Sequence, residues 1–352
     1  MSTHRRHRHS SGYRIRRWFR HNKRLAVYGS LLSLAVIGAG IGFVFHAQKE
    51  QKNRHVTAGN SVNVGSGYRN ITYKGKHYQY NNLITNILYA GIDSAGKMEP
   101  TARFGDQARA DSISLVVMDK KHKKMTIIAI SRDTMTDIHR YTLDGTDRGA
   151  GESHLGFAYT YGEGGTVSCE NLVWSVSNLL YNIPIQEYVV TNQTSMPYIN
   201  NLVGGVTVTV PNDDLAQKYP ELTSGAVVTL DDSTVTDYLH FRDTSVDFSN
   251  EGRIARQKSF INAFIPLAKT KTQTDINGMW EKLEAMEDYL QTSITKNKYI
   301  DLVNLMDQIT YTDEDFYSLP GENRAGELHD EFYPDMGAIQ DKVIELFYEE
   351  VS

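Results

Sequence analysis

Asp93, Arg109, Asp111, Arg132 and Asp133 fall within a short span of the chain and are of the types that handle phosphate. Carboxylates are hard oxygen ligands for a divalent cation, and guanidiniums are planar forks that grip phosphate with paired hydrogen bonds. Carboxylates supply only oxygen, which suits a hard ion such as Mg²⁺ or Mn²⁺ rather than zinc. A structural ion pair between Arg132 and Asp133 would give the same spacing, and spacing alone does not separate the two readings.

These residues stand at the ends of three apolar runs, Ile87–Ile92, Ile113–Met118 and Met125–Ile130. Their length and β-branched content predict strands. Strand ends of a rigid sheet present side chains to a ligand. The tight charged connection Lys120–Lys124 predicts that the second and third runs pair antiparallel. A second group of polar residues follows later: His240-Phe241-Arg242, then Gly252-Arg253 and Arg256-Gln257. Arg253 and Gln257 are four apart and share one helix face. A helix start beside a glycine offers free N–H groups to an anion. The rival reading is a solvated face whose arginines pair with nearby acids such as Glu251.

The elements between these groups alternate. Ile71–Tyr80 reads as a hairpin around Lys74-Gly75-Lys76, and His139–Gly165 as an irregular glycine-rich loop. Helices are predicted over Val167–Leu180, Met196–Val203, Gly252–Lys269, within Ile276–Met306 and over Ala338–Phe347. Short strands are predicted at Glu187–Thr191, Val206–Val210 and Phe316–Leu319. Strands alternating with helices predict a layered α/β domain, a central mixed β-sheet flanked by helices, over residues 70–350.

The chain has 352 residues, and its first 24 hold nine Arg or Lys and no acid. Leu25–Phe45 is 21 residues without a charge, enough for one membrane-spanning helix. The basic flank places residues 1–24 in the cytoplasm and everything after the helix outside the cell. Residues 46–69 are polar and read as a linker. The remainder carries all 42 acids and 28 of the 37 Lys and Arg, a formal charge of −14. That balance excludes a general nucleic-acid binder. Cys169 is the lone cysteine, so no intrachain disulfide is available.

Taken in order, Asn86–Asp93, Arg109-Ala110-Asp111-Ser112, Ile130–Thr134, Leu202–Val206 with Val208 and Pro211, and Gly252-Arg253 through Arg256-Gln257 resemble the LytR–CpsA–Psr family of cell-envelope proteins. Leu319–Glu322 also fits some members. The resemblance covers roughly residues 70–350 and shares the layout of a membrane helix with an outside domain.

It implies transfer of a glycopolymer from undecaprenyl pyrophosphate, together with one phosphate, to a peptidoglycan sugar hydroxyl at the outer membrane face. The polymer would be teichoic acid, capsule or exopolysaccharide. By the same resemblance, Asp93 and Asp111 hold Mg²⁺. Arg109, Arg132, Arg242, Arg253 and Gln257 contact the pyrophosphate, with His240 and His154 beside them. Asp111, Arg109 and Arg132 carry the catalysis, and either aspartate could be the base. Where other members carry Arg, Lys and Asp, this chain has His240, His154 and Asn250. These histidines are expected to titrate near neutrality and to charge beside a bound pyrophosphate. Asp111→Ala is expected to abolish transfer with little change in melting. Two other readings are a non-catalytic protein that binds or senses lipid-linked glycan, and an envelope-related transcriptional regulator. The acidic outside domain, with no recognition-helix motif, opposes the last.

Overall fold

The computed structural model describes residues 68–351 apart from 244, 246–248 and 328. The apolar segment Leu25–Phe45, the basic segment before it and residues 46–67 of the linker lie outside the described residues.

Strands β1 (Asn70–Tyr73) and β2 (Lys76–Tyr80) form the expected hairpin, turning through Lys74 and Gly75 at φ 47° and 79°. Positive φ at both central residues matches the right-handed twist of the flanking strands. Next come β3 (Ile84–Ile92), β4 (Ala110–Asp119) and β5 (Lys124–Ile130), consecutive antiparallel neighbours. Strands β6 (Met135–Tyr141) and β7 (Asp147–His154) are a second hairpin. Helices α1 (Phe157–Thr160) and α2 (Thr166–Leu179) lead to β8 (Glu187–Asn192) and α3 (Ser195–Leu202). The small pair β9 (Thr207–Thr209) and β10 (Val227–Thr229) precedes α4 (Val235–His240) and the long α5 (Asn250–Thr274). Then follow α6 (Ile276–Glu284), β11 (Leu290–Thr292), α7 (Lys296–Met306) and β12 (Phe316–Ser318). A third hairpin, β13 (Gly321–Ala325) with β14 (Asp330–Pro334), is followed by α8 (Met336–Phe347) and β15 (Tyr348–Val351).

The central sheet runs β11-β8-β3-β4-β5-β12. It is mixed: β8 joins β3 in parallel and β12 joins β5 in parallel, while the other pairs are antiparallel. Both faces are buried, which is why the central strands read as near-continuous apolar runs. Ile87, Val116, Met118, Met125 and Ile127 face a core built with α3 to α7, where Phe260, Phe264 and Trp280 are the large residues. Leu88, Leu115, Val117 and Ile128 face a second core with α2 and α8, through Leu172, Val176, Val343 and Phe347. The molecule is therefore three layers, helix–sheet–helix, as the alternation of elements predicts. Cys169 is buried in the second core, and burial pushes its thiol up.

One expectation changes. The stretch His139–Gly165 is not an irregular loop, for β6 and β7 pair across it. Neither face of β7 is apolar, so the alternation that marks a half-buried strand is missing from DRGAGESH.

Candidate active site at the open end of the sheet

The site begins with a break in strand pairing. Between Gly91 and Ile92 the β3–β4 register shifts, so Gly91 pairs with Ser112 but Ile92 pairs with Ala110. Asp111 is the extra residue of this bulge. A bulge re-aims a side chain and turns the strand. Here it swings Ala110 into the second core and leaves the Asp111 carboxylate facing two guanidiniums. One Asp111 oxygen accepts from Arg132, and the other accepts from Arg253 Nη1 at 2.9 Å. Burial pushes the Asp111 carboxyl up, but Arg253 and Arg132 together hold it below the usual carboxylate range.

Arg132 also reaches Asp133 at 3.3 Å, and Asp133 accepts in turn from Arg242 Nη1 at 3.4 Å. Arg242 continues to Asp330 and to the Ser249 hydroxyl at 2.9 Å. Arg253 is 1 % exposed; its second amino group donates to Asn250 Oδ1 at 2.7 Å. Its Nε is buried without a hydrogen-bond partner among the described residues. Burial brings the guanidinium down to about 10, against the pull of Asp111, so it remains charged at neutral pH. Asp111, Asp133, Arg132, Arg242 and Arg253 thus form one connected network. Arg132 pairs with Asp133, as the ion-pair reading expects, and the same guanidinium also reaches Asp111 in the network.

Arg109 and His154 sit on the other side of Arg132. Gly156 makes this possible, because a Cβ there would lie 2.8 Å from the Ala110 carbonyl oxygen and 3.3 Å from Arg132. Arg109, Arg132, Asp133, His154, Phe157 and His329 line a small pocket. The Arg109 guanidinium lies 5.2 Å over the Phe157 ring, and His154 Nε2 donates to the Asp330 carbonyl at 3.1 Å. His329, at the turn between β13 and β14, is a site residue that sequence reasoning missed; its neighbours in sequence carry no motif.

On the first core's side, the sheet face changes character toward the same end. Large inward residues Ile87, Val116 and Met118 give way to Gly91, Ser112 and Ser114. The missing volume becomes a narrow apolar cleft closed by Met196, Ile199, Leu239, Phe260 and Ile261. His240 and Gln257 stand among its lining residues. A Cβ added at Gly91 would meet Ser112 Cβ at 3.4 Å and the His240 ring at 3.8 Å, which places this glycine against the cleft's polar end. Burial, and then Arg253 nearby, bring the His240 imidazole down to about 4. The expectation of titration near neutrality therefore fails for His240 in this state: it is a neutral imidazole. Gln257 Nε2 donates to the Leu239 carbonyl at 3.1 Å.

Asp93 is exposed at the end of β3. Its N–H donates to the Arg109 carbonyl at 2.8 Å, and its carboxylate accepts from Gln193. Among the described residues no group of three His, Cys, Asp or Glu could enclose a metal ion. Asp111 has lone pairs left after its two arginines, since a carboxylate offers about four acceptor positions.

The comparisons with known proteins agree with this architecture. A family model described as the LytR_cpsA_psr family matches residues 43–341. The chain is 27% identical over 241 residues to the polyisoprenyl-teichoic acid–peptidoglycan teichoic acid transferase TagU of Bacillus cereus, covering 67% of this chain and 69% of that protein. It is 26% identical over 311 residues to the transferase TagV of Bacillus subtilis that bears the same activity name, covering 86% and 71%. The crystal structure of B. subtilis TagV superposes with a TM-score of 0.55 at 23% identity, over 74% of this chain and 96% of that one. The chain belongs to the LytR_cpsA_psr family.

Proposed function

We propose that this protein transfers a polyprenyl-pyrophosphate-linked glycopolymer, with one phosphate, to a sugar hydroxyl of peptidoglycan. The work takes place at the outer face of the membrane, with Leu25–Phe45 as a single-pass anchor and the amino terminus in the cytoplasm. The observation that carries the reading is an apolar cleft that adjoins a cluster of guanidiniums. Three pairs join them: Ser112 in the cleft follows Asp111, Gln257 stands one helical turn after Arg253, and His240 neighbours Arg253. An amphiphile with a hydrocarbon tail and a pyrophosphate head matches that juxtaposition. The relatives' names, transferases acting on polyisoprenyl-linked teichoic acid and peptidoglycan, support the same substrate class.

In this reading the prenyl chain lies between Met196, Ile199, Phe260 and Ile261. Gln257 and the neutral His240 mark where the tail ends and can contact a phosphate oxygen only as neutral donors. Arg253, Arg132, Arg109 and Arg242 receive the phosphates. Arg253 Nε is a desolvated donor without a hydrogen-bond partner among the described residues. Fixed guanidiniums in a water-poor site stabilise charge as it develops on the leaving phosphate, with no reorganisation at the moment of reaction. Asp93 and Asp111 would hold Mg²⁺, which neutralises phosphate charge when bound.

The test is direct. Full-length protein in detergent is given a polyprenyl-pyrophosphoryl disaccharide and a peptidoglycan oligosaccharide, and products are read by mass spectrometry. A phosphodiester-linked conjugate and free polyprenyl phosphate are expected, lost in EDTA and restored by Mg²⁺. Binding of the donor with no conjugate under any metal condition would leave a binding protein. Full transfer in EDTA would remove the metal.

A further inference from the structure

The attacking hydroxyl must lose a proton, and the network leaves both aspartates poorly placed to take it. The Asp111 oxygens are each held by a guanidinium, and Asp93 is hydrogen-bonded to Gln193. The small pocket beside them contains a different group. The ring of His329 is 6.0 Å from that of His154 and 6.4 Å from Phe157, across whose face Arg109 lies. Among the described residues no hydrogen bond engages its imidazole nitrogens. The groups facing it come from every neighbouring element. Arg109 precedes β4, Arg132 and Asp133 follow β5, His154 ends β7, and Asp330, next in sequence, accepts from Arg242.

We infer that His329 is the general base that accepts the proton of the attacking sugar hydroxyl, an assignment that rests on the transfer reading above. The hydroxyl oxygen forms a bond to the phosphorus that bears the glycopolymer. The bridging P–O bond of the pyrophosphate breaks, and polyprenyl phosphate departs with the electron pair. The hydroxyl proton passes to the free imidazole nitrogen and from there to solvent. Arg109 and Arg132 on the same pocket wall would hold the phosphate within reach of both. His154, fixed by its bond to the Asp330 carbonyl, orients the pocket rather than taking the proton. The local electrostatics suit the role. Partial burial, then Arg109, His154 and Arg132, lower the His329 imidazole below its ordinary value, with Asp133 opposing. It is therefore unprotonated at neutral pH, as a base must be.

The experiment measures kcat/KM against pH for the full-length protein, with the disaccharide donor and oligosaccharide acceptor named above. Wild type should lose activity on the acid side of the histidine range. His329→Gln should be slower by about 10²–10⁴-fold, the usual worth of a positioned base, and should lack the acid limb. It should bind fluorescent donor as wild type does, and added imidazole should restore part of the rate in His329→Ala. The ring is exposed, so both variants should keep the wild-type Tm. A His329→Gln protein with near wild-type rate and an unchanged acid limb would overturn the assignment while leaving the transfer reading intact. Loss of donor binding in step with rate would make His329 a binding group and equally overturn it. A wild-type protein that transfers nothing would remove the reading, and the base with it.

Discussion

Arg253 and Arg256 stand three residues apart on α5, and both are withdrawn from solvent, at 1 % and 0 % exposure. Their surroundings differ. Arg256 is saturated: it donates to the Tyr238 carbonyl at 2.9 Å, to Asn212 at 3.1 Å, to Asp214 and to the Phe241 carbonyl. It ties α5 to the segment that ends α4 and so fixes where His240 and Arg242 start. Arg253 has two partners and one idle buried donor, and its carboxylate partner is the displaced residue of a β-bulge. A buried donor without a partner costs free energy that a phosphate oxygen could recover. The contrast makes Arg256 an arginine that joins elements, and leaves Arg253 as the one that the transfer reading puts against the substrate.

The sharpest way to break this comparison is at Asp111. A metal-ligand role alone, as the resemblance implies, would let Asp111→Ala remove activity at little cost in stability. The structure reverses the second half, because Asp111 is the counter-charge of a buried guanidinium. Removing one partner of such a pair is expected to cost about 3–5 kcal/mol. Asp111→Ala should therefore lose transfer and also unfold at clearly lower denaturant; an unchanged unfolding midpoint would show that Arg253 is not buried against it.

Arg256→Met should come next in size. It removes hydrogen bonds to two main-chain carbonyls and two side chains, so roughly 2–3 kcal/mol of stability is expected to go. Donor affinity per folded molecule should stay near wild type. A variant of wild-type stability that fails to bind donor would invert the roles of the two arginines.

A smaller effect is expected from pH. The His240 imidazole lies at about 4 in the fold and near 6.5 in an unfolded chain. The unfolded state therefore binds more protons between those values, so stability is full above about pH 6.5 and falls as pH drops toward 4. The contribution is on the order of 3 kcal/mol, and His240→Gln should remove it from the pH dependence of urea unfolding. Identical pH profiles for the two proteins would place His240 outside the buried mouth of the cleft.

Much of this arrangement is legible in the residues. The three central strands, the hairpin at Lys74-Gly75 and the helices after Thr166, Ser195 and Asn250 follow from apolar period and turn chemistry. Other parts are silent for physical reasons. Strands β6, β7, β13 and β14 carry little apolar alternation, so nothing marks them as pairs, yet β7 and the turn between β13 and β14 bring His154 and His329 to the pocket lined by Arg109 and Arg132. The bulge at Asp111 depends on strand register, which a strand's own sequence does not contain. The cleft does leave a trace. Ser112 and Ser114 occupy inward positions of an otherwise apolar strand, and Gly91 does so on its neighbour, which is a local break in binary pattern. His240 looks like a charge near a phosphate until its burial is known.

Equilibrium binding of a fluorescent polyprenyl pyrophosphate to wild type, Arg253→Lys and Arg256→Lys, with thermal unfolding of the same samples, bears most directly on the comparison. Lysine keeps the charge at each position and removes the planar fork. Arg253→Lys is predicted to bind about 10–100-fold more weakly, the worth of a charge-assisted hydrogen bond, with a modest change in Tm. Arg256→Lys is predicted to bind as wild type does and to melt lower. Wild-type affinity in Arg253→Lys, with the loss appearing in Arg256→Lys instead, would contradict the account.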